Sequence, residues 1–432
     1  MKITIIGAGL SGLSAGYTLS KKGHAVTILE KENTLGGLAS SFEINTEKIP
    51  ICYHHIMKTD KITRTLIKDL NLEHKLFNKK VKMGFYYNKK IHTLSEPWDI
   101  LFFTPLSPKS RIKFAYFAAK IMLKTNWQKE DQISAEKWIK EKTNAEILDK
   151  MFAPLLKIKF TKDSKKIAAS WVGTRLKMRE SSGPFGYLKG GIDTLTEKLK
   201  TEIESDGGTI ITSANVTKLR HNRKTNKITE LEYTHNNRTK KTKSDIYLFT
   251  AAPPILLKLT KLQKTYETRL KKIRYKSTIC ASIGLDKSYN KYYWTNFIDG
   301  SFTFGGVLDH TKLNPYLKNA NSMLYVFTYL DTSDKLWKQT DSKILKTYTS
   351  ELKRIFPDID KHILWHNIAK MKYSKPVYEI EYKDYCPNYK TPIRNLCLTG
   401  ISTIYPKIRN MGSAIESGTK AGELIDSEYN KS

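Results

Sequence analysis

Two stretches of the chain hold residues whose type and spacing could do chemistry. In the first, Gly7-Ala8-Gly9-Leu10-Ser11-Gly12 fits G-x-G-x-x-G, and Glu30 stands eighteen residues beyond Gly12. Each glycine has a physical task in holding a dinucleotide. Gly7 permits a tight turn, Gly9 lets the backbone approach a pyrophosphate with no Cβ in the way, and Gly12 lets a helix pack closely on a sheet. The N–H groups opening that helix face the phosphates, and Glu30 can accept hydrogen bonds from a ribose. In the second stretch, ICYHHIMKTD, His54 and His55 are adjacent and Cys52 lies two residues upstream. Neighbouring side chains on a strand point to opposite faces, and neither histidine has a partner four residues on, so no metal site is expected. Two readings remain. Both histidines are packed and hydrogen-bonded, or one faces a site, where a neutral imidazole can hydrogen-bond or take a proton. Under strand alternation only one faces in, and His55 is expected on the inner side.

Positioning the glycines requires strand, turn, helix and strand in that order. Lys2–Ile6 is a β-branched run suited to a buried parallel strand. Leu10, Leu13, Ala15, Gly16 and Leu19 give a small and apolar helix face, Gly23 ends the helix, and Ala25–Leu29 is the next strand, closed by Glu30. The motif alone is a common glycine turn; this context makes it a dinucleotide cradle. A second glycine pair, Gly36-Gly37, follows Glu30 by six residues.

Here the chain resembles the FAD-binding amine oxidase superfamily, a group that includes protoporphyrinogen oxidase, phytoene desaturase and, more distantly, UDP-galactopyranose mutase. Pro184–Leu219, Ser244–Pro254 and Asn395–Ile425 are similar to its later returns to the cofactor domain. The resemblance implies noncovalent FAD, held by Gly7, Gly9, Leu10, Ser11, Gly12, Glu30, Lys31, Gly36, Gly37 and Leu38. It puts Val216 beside the adenine, and Gly400, Met411 and Gly412 at a helix N-terminus aimed at the flavin pyrimidine, where a positive dipole end stabilises reduced flavin. Ile401 departs from the pattern, because the family usually has an acidic residue after that glycine.

The implied fold class is α/β: a Rossmann-like FAD/NAD(P)-binding domain with an inserted mixed α+β substrate domain. The cofactor domain is discontinuous, from residues 1–75, 187–255 and 390–432. The substrate domain takes 76–186 and 256–389. Within it, Ile100 to Lys129 contains no acidic residue. A helix near 109–124 could put Phe114, Phe117, Ala118, Ile121 and Met122 on one face, flanked by Lys113, Lys120 and Lys124. It reads either as a membrane-interface helix or as a core-facing helix with a solvated basic side. The superfamily's membrane-attached oxidases dock through this same insertion.

The resemblance also extends the histidine reading. YHHIMKT looks like the histidine-rich loop beside the flavin in UDP-galactopyranose mutases. GGVLDHT, Gly305–Thr311, is similar to a segment in those mutases and in bacterial protoporphyrinogen oxidase-like proteins. His54, His55 and His310 are therefore the candidate catalytic residues.

Composition limits the partners. The chain has 432 residues and a formal charge of +32, from 74 Lys+Arg against 42 Asp+Glu. Scattered lysines suit a general surface bias better than a nucleic-acid groove, so nucleic acid is not an expected partner. The field suits an anionic small molecule or an anionic membrane surface. Four cysteines without a C-x-x-C pair imply a reducing compartment. No signal-peptide pattern and no run of eighteen apolar residues is visible, so the expected location is cytoplasmic, at most peripheral on the inner face of a membrane. The expected function is that of an FAD-dependent oxidoreductase, moving a hydride from a C–N or C–C bond of a small-molecule or lipid-linked, apolar substrate. Two alternatives stay open. One is a flavin-dependent nucleotide-sugar mutase, with Arg175, Arg179 and Arg274 as candidate diphosphate ligands. The other is a non-catalytic FAD-binding protein.

Overall fold

A computed structural model describes residues 1–124, 126–127, 129–178 and 184–429; Arg179 lies outside the described residues. KITII and AVTIL are buried on almost every residue, as strands covered on both faces must be. They sit centrally in a five-stranded parallel sheet ordered Thr209–Ile211, Ala25–Leu29, Lys2–Ile6, Ile246–Phe249 and Leu396–Leu398. The helix Leu10–Ser20 packs against two others, Asp193–Ser205 and Met411–Tyr429. Small residues allow the second approach, since a Cβ on Gly418 would stand 2.1 Å from the Ser11 carbonyl oxygen.

A seven-stranded sheet forms the other half, in the order Ile363–Pro376, Tyr275–Leu285, Ser322–Leu330, Gly306–Asp309, Trp294–Phe297, Met83–Tyr87 and Lys90–Thr93. Its long second strand, Tyr275–Leu285, runs antiparallel to both neighbours. Period-two alternation separates its faces. Ile279, Ala281, Ile283 and Leu285 join a core of their own with Ile344, Tyr348 and Leu352 of the helix Asp341–Leu352. Cys280, on the opposite face, belongs to the main core.

All five strands of the parallel sheet fall in residues 1–75, 187–255 and 390–432, and all seven of the larger sheet in 76–186 and 256–389. The division at 186/187 is less natural. It cuts the strand Pro184–Leu188, which pairs with Ile56–Met57 on one side and Leu76–Lys80 on the other.

The basic helix spans Pro108–Leu123 and is started by Ser107, whose hydroxyl accepts from the Ser110 N–H. The apolar face expected from its spacing turns inward. Phe114 meets Phe152 edge-on and Phe117 meets Trp138, with Ile121 buried beside them. The residues left outside are Ile112, Tyr116 and Leu123. Among the described residues, no helix is long and apolar enough to cross a membrane.

Candidate active site

A cavity of about 1220 Å³ runs from the glycine turns to the large sheet. At its cofactor end the two glycine motifs touch. The Gly36 N–H donates to the Ala8 carbonyl oxygen at 2.9 Å, and a Cβ on Gly37 would stand 3.2 Å from Gly9 Cα. Glu30 closes the same corner: its carboxylate accepts from the Ala8 N–H at 2.7 Å and from the Glu32 N–H at 2.9 Å. Gly7, with φ of 107°, holds a conformation that favours glycine.

The glycines then divide by task. A Cβ on Gly12 would lie 1.9 Å from the Gly7 carbonyl oxygen, so Gly12 serves packing and is not part of the cavity lining. Gly9 lines the cavity, and a Cβ there would meet protein only at ordinary contact, 3.8 Å from the Gly36 carbonyl oxygen. The fold therefore tolerates a side chain at Gly9, and the space it would fill is the cradle itself. The helix beginning at Leu10 has no side-chain cap, so its first N–H groups are open to an anion lying in that cradle. These features fit a bound FAD pyrophosphate and ribose.

The remaining expected cofactor residues spread along the cavity. Leu10, Ser11, Lys31, Gly36, Gly37, Leu38, Val216, Gly400 and Met411 all border it. The Ser11 hydroxyl is turned away, donating to the Ala414 carbonyl oxygen at 2.9 Å, which ties the first helix to the last. Gly412 corrects its expected role. It lies behind the lining, and a Cβ there would stand 2.0 Å from Asp60 Oδ1, the carboxylate that caps the helix Lys61–Asp69. The last helix opens with a reciprocal cap: Asn410 Oδ1 accepts from the Ser413 N–H, and Ser413 Oγ accepts from the Asn410 N–H.

His54 and His55 do not follow strand alternation. Residues 51–55 form an irregular segment between the strands Glu47–Pro50 and Ile56–Met57, and both histidines border the cavity. His54 Nδ1 lies 2.8 Å from the Cys52 carbonyl oxygen. A carbonyl only accepts, so Nδ1 carries the proton and Nε2 keeps a lone pair. Burial lowers the His54 pKa to about 4, so the imidazole is neutral at pH 7. His55 stacks on Phe185 with ring centroids 4.2 Å apart, and its Nδ1 is 3.1 Å from the Tyr293 hydroxyl.

His310 is not at the site surface. It is 1% exposed, packed edge-on to Tyr187 and Tyr325, and its Nδ1 has no hydrogen-bond partner. Burial, with repulsion from the charged forms of His54 and His55, lowers its pKa to about 3. The three histidines are thus neighbours, with His310 behind the other two. No metal-holding group of three His, Cys, Asp or Glu exists among the described residues. Of the expected arginines, Arg175 lines the cavity, whereas Arg274 is spent in ion pairs with Asp163 and Glu379.

Sequence reasoning missed most of the inner wall. Tyr53, Lys159, Trp171, Trp294, Tyr329, Lys375 and Arg409 all border the cavity. Tyr53 and Tyr329 share a hydrogen bond of 3.1 Å between hydroxyls, and Tyr53 meets Trp294 edge-on at 4.7 Å. Arg409 had one local signal, its place just ahead of the last helix in IRNMGSA. Tyr53 adjoins His54 in the irregular segment 51–55, and the others come from strands and helices far apart in the chain.

A parallel sheet with a glycine cradle and a second domain walling the cavity defines a dinucleotide-binding flavoprotein fold. The chain belongs to the flavin containing amine oxidoreductase family, whose model matches residues 10–425. It is a family of FAD-dependent oxidoreductases, and FAD is the cofactor. The fold is shared with a protein of Exiguobacterium sp. 255-15 provisionally named a protoporphyrinogen oxidase (15% identity, TM-score 0.76, covering 99% of both chains). It is shared also with a putrescine oxidase bound to putrescine (13% identity, TM-score 0.75, covering 99% of this chain and 100% of the other). An L-amino acid oxidase of Cerastes cerastes is 32% identical over 92 residues, a segment that is 21% of this chain and 18% of that protein. The match thus spans less than a fifth of that relative's length.

Proposed function

We propose that the protein oxidises a small, largely apolar substrate at a C–N or C–C bond. The observation that carries this reading is the continuity of one cavity, from the dinucleotide cradle past His54 and His55 to a chamber walled by Tyr53, Trp171, Trp294 and Tyr329. FAD, when bound, would supply the hydride acceptor. The chain's own part is to exclude water with the aromatic wall, to orient the substrate, and to handle a proton. His54 Nε2 is the proton acceptor best prepared by its surroundings, because the Cys52 carbonyl holds its tautomer. His55, gripped between Phe185 and Tyr293, shapes the same corner.

The test is anaerobic stopped-flow reduction of the purified holoprotein with panels of amines, amino acids and lipid-linked or unsaturated compounds. A substrate should bleach the flavin. His54→Ala should then slow reduction by about 10²–10⁴-fold while keeping FAD. Normal reduction in both His54→Ala and His55→Ala would make the pair structural. A second reading is favoured by Arg175 and Arg409 bordering one cavity: a nucleotide-sugar mutase that works only on prior reduction of the flavin. Turnover of a nucleotide sugar after dithionite treatment, with no net oxidation, would select it.

A peripheral membrane contact is proposed as well, on a face other than the one expected. Its support is an exposed apolar series in one segment, with Phe102 74%, Ile112 66%, Tyr116 60% and Leu123 83% exposed, bordered by Lys109, Lys113 and Lys120. Apolar side chains ringed by lysines match an anionic lipid interface. Binding to phosphatidylglycerol vesicles should weaken about tenfold or more in a Phe102→Ser, Ile112→Ser, Leu123→Ser variant, and should weaken with salt in wild type. Equal vesicle binding by variant and wild type would remove this contact.

A further inference from the structure

We propose that Cys52 and Cys280 form a peroxide-sensitive dithiol, whose closure to a disulfide resets the loop that carries Tyr53, His54 and His55. The pair stands apart from the oxidoreductase reading, and only its effect on the histidines rests on it.

Strand register brings the two cysteines together from opposite domains. On the core face of the large sheet, Cys280 is paired with Phe327, Ser282 with Tyr325 and Thr278 with Tyr329. The segment after Pro50 crosses this face over the same three pairs. The Tyr325 hydroxyl donates to the Pro50 carbonyl oxygen at 2.9 Å, the Tyr53 ring lies 5.0 Å from that of Phe327, and the Tyr53 and Tyr329 hydroxyls are 3.1 Å apart. Cys52 falls between these anchors, above Cys280. Their thiols share a hydrogen bond, and the Tyr53 N–H bonds both sulfurs.

The two thiols are unequal. The hydrogen bond from Cys280, aided by the Arg409 charge and the Tyr53 N–H, holds the Cys52 thiol below its ordinary range despite burial. Burial pushes the Cys280 thiol well above it. Cys52 also keeps an exposure of 8%, between Ile51 and Tyr53 of the cavity lining, whereas Cys280 has none. Cys52 is therefore the attacking sulfur and Cys280 the resolving one. The Cys52 thiolate attacks one oxygen of hydrogen peroxide, the O–O bond breaks, and the departing hydroxide takes the thiol proton to leave as water. The Cys280 sulfur then attacks the Cys52 sulfenic acid. The S–S bond forms, the S–O bond breaks, and the hydroxide leaves with the Cys280 proton as a second water. Two thiols lose two electrons and two protons, and one peroxide becomes two waters.

Closing the bond draws together two sulfurs that were in hydrogen-bond contact. Cys280 is fixed by strands on both sides, paired with Phe327 and Ala369, whereas Cys52 belongs to the irregular segment 51–55. The loop is thus the part that moves. Its Cys52 carbonyl holds the His54 tautomer, so the disulfide acts on the proton acceptor directly. Where thiols are normally kept reduced, such a pair cycles instead of stapling the fold.

The experiment uses holoprotein reduced with dithiothreitol, desalted, treated with hydrogen peroxide and quenched with catalase. Thiols titrated after denaturation should fall from the four present to two, and dithiothreitol should return them. A non-reducing peptide mass spectrum should show Cys52 joined to Cys280. Cys386 and Cys397, both pushed up to about 11 by burial, serve as internal controls. Cys52 should react about tenfold or more faster than either. In Cys280→Ser, dimedone should trap a sulfenic acid at Cys52; in Cys52→Ser, Cys280 should stay a thiol at the same peroxide dose. Tryptophan emission should shift on closure and return on reduction, because Tyr53 meets Trp294 edge-on at 4.7 Å. Four thiols persisting in wild type, or a link between any other two cysteines, overturns the inference without recourse to the variants. A Cys52–Cys280 link that leaves the emission unmoved overturns its coupling to the loop. A wild-type chain that cannot be loaded with FAD sinks the oxidoreductase reading instead, and the thiol count then still decides the pair.

Discussion

The two ends of the cavity are built from different materials. The cofactor end is mostly backbone: Gly7, Gly9, Gly36 and Gly37 in two turns less than forty residues apart, with Glu30 bonded to N–H groups. The inner end is made of side chains, with Lys159 and Trp171 from one insertion, Tyr329 and Lys375 from the large sheet, and Arg409 from the segment before the last helix. A backbone-built site constrains residue types locally, because a Cβ either fits or does not. A side-chain chamber constrains only the sum of shape and charge, and that sum is reached through tertiary pairing. The first kind of site holds an invariant group such as a pyrophosphate, and the second can be refitted to a new substrate without disturbing the first.

The contrast is broken most forcefully at the glycines. Gly9→Val should leave the apo-protein folded, with a normal thermal melt, and should eliminate yellow FAD absorbance, because its side chain fills the cradle. Gly12→Ala should do the reverse. Its Cβ collides with the Gly7 carbonyl, so stability should fall by about 1–3 kcal/mol or more and FAD content should drop only through misfolding. If both variants lose the fold together, the cradle and the packing glycines are not separable.

At the inner end the comparable test is pH. His310 is raised above its folded pKa of about 3 only in the unfolded chain, where it returns to the ordinary value near 6.5. Between those values the unfolded chain takes up a proton that the native imidazole refuses. Stability is therefore full above pH 6.5 and is lost as pH falls towards 3, by on the order of 3–5 kcal/mol from this group. Urea denaturation across that range should show a flatter profile for His310→Gln than for wild type. Parallel profiles would mean that the imidazole finds a partner in solution.

The smallest effect belongs to Glu30. Glu30→Ala should weaken FAD by roughly 1–3 kcal/mol, since it removes a ribose acceptor and unpairs the Ala8 and Glu32 N–H groups. Glu30→Gln should cost less, measured by titration of apo-protein with FAD. Equal affinities for all three proteins would assign Glu30 to the turn alone.

The same division explains what could be read from residues in order. Strand, turn and helix around Gly7–Gly12 were legible because each step is local. The glycine pair at Gly36 was legible too, although the sequence does not show that it lies against Gly9. Alternation failed at His54 and His55, because the segment between Pro50 and Ile56 is not a strand. The face of Pro108–Leu123 was found by its spacing, yet spacing does not say whether lipid or Phe152 and Trp138 will cover it. Arg409 carried only its place ahead of the last helix, and Lys375 carried no usable signal. In a chain with 74 Lys+Arg, which lysine is buried over an aromatic ring depends on strand register alone.

The bond between Ser11 and Ala414, with Gly418 seated against Ser11, sets an order in time. The first strand and helix leave the ribosome early, but the edge strand of their sheet, Leu396–Leu398, which pairs with Ile246–Phe249, and the covering helix Met411–Tyr429 come nearly four hundred residues later. At ordinary elongation rates that interval is roughly 20–80 s. During it, apolar Lys2–Ile6 and Ala25–Leu29 have no finished sheet to join, while the strands of the large sheet from Met83 to Pro376 can already pair. The large sheet can thus pair before the parallel sheet is complete, whereas Arg409 and the helix that covers Leu10–Ser20 arrive only at the end of translation. A nascent chain stalled before Leu396 should therefore present a protease-sensitive amino-terminal region beside a protected middle.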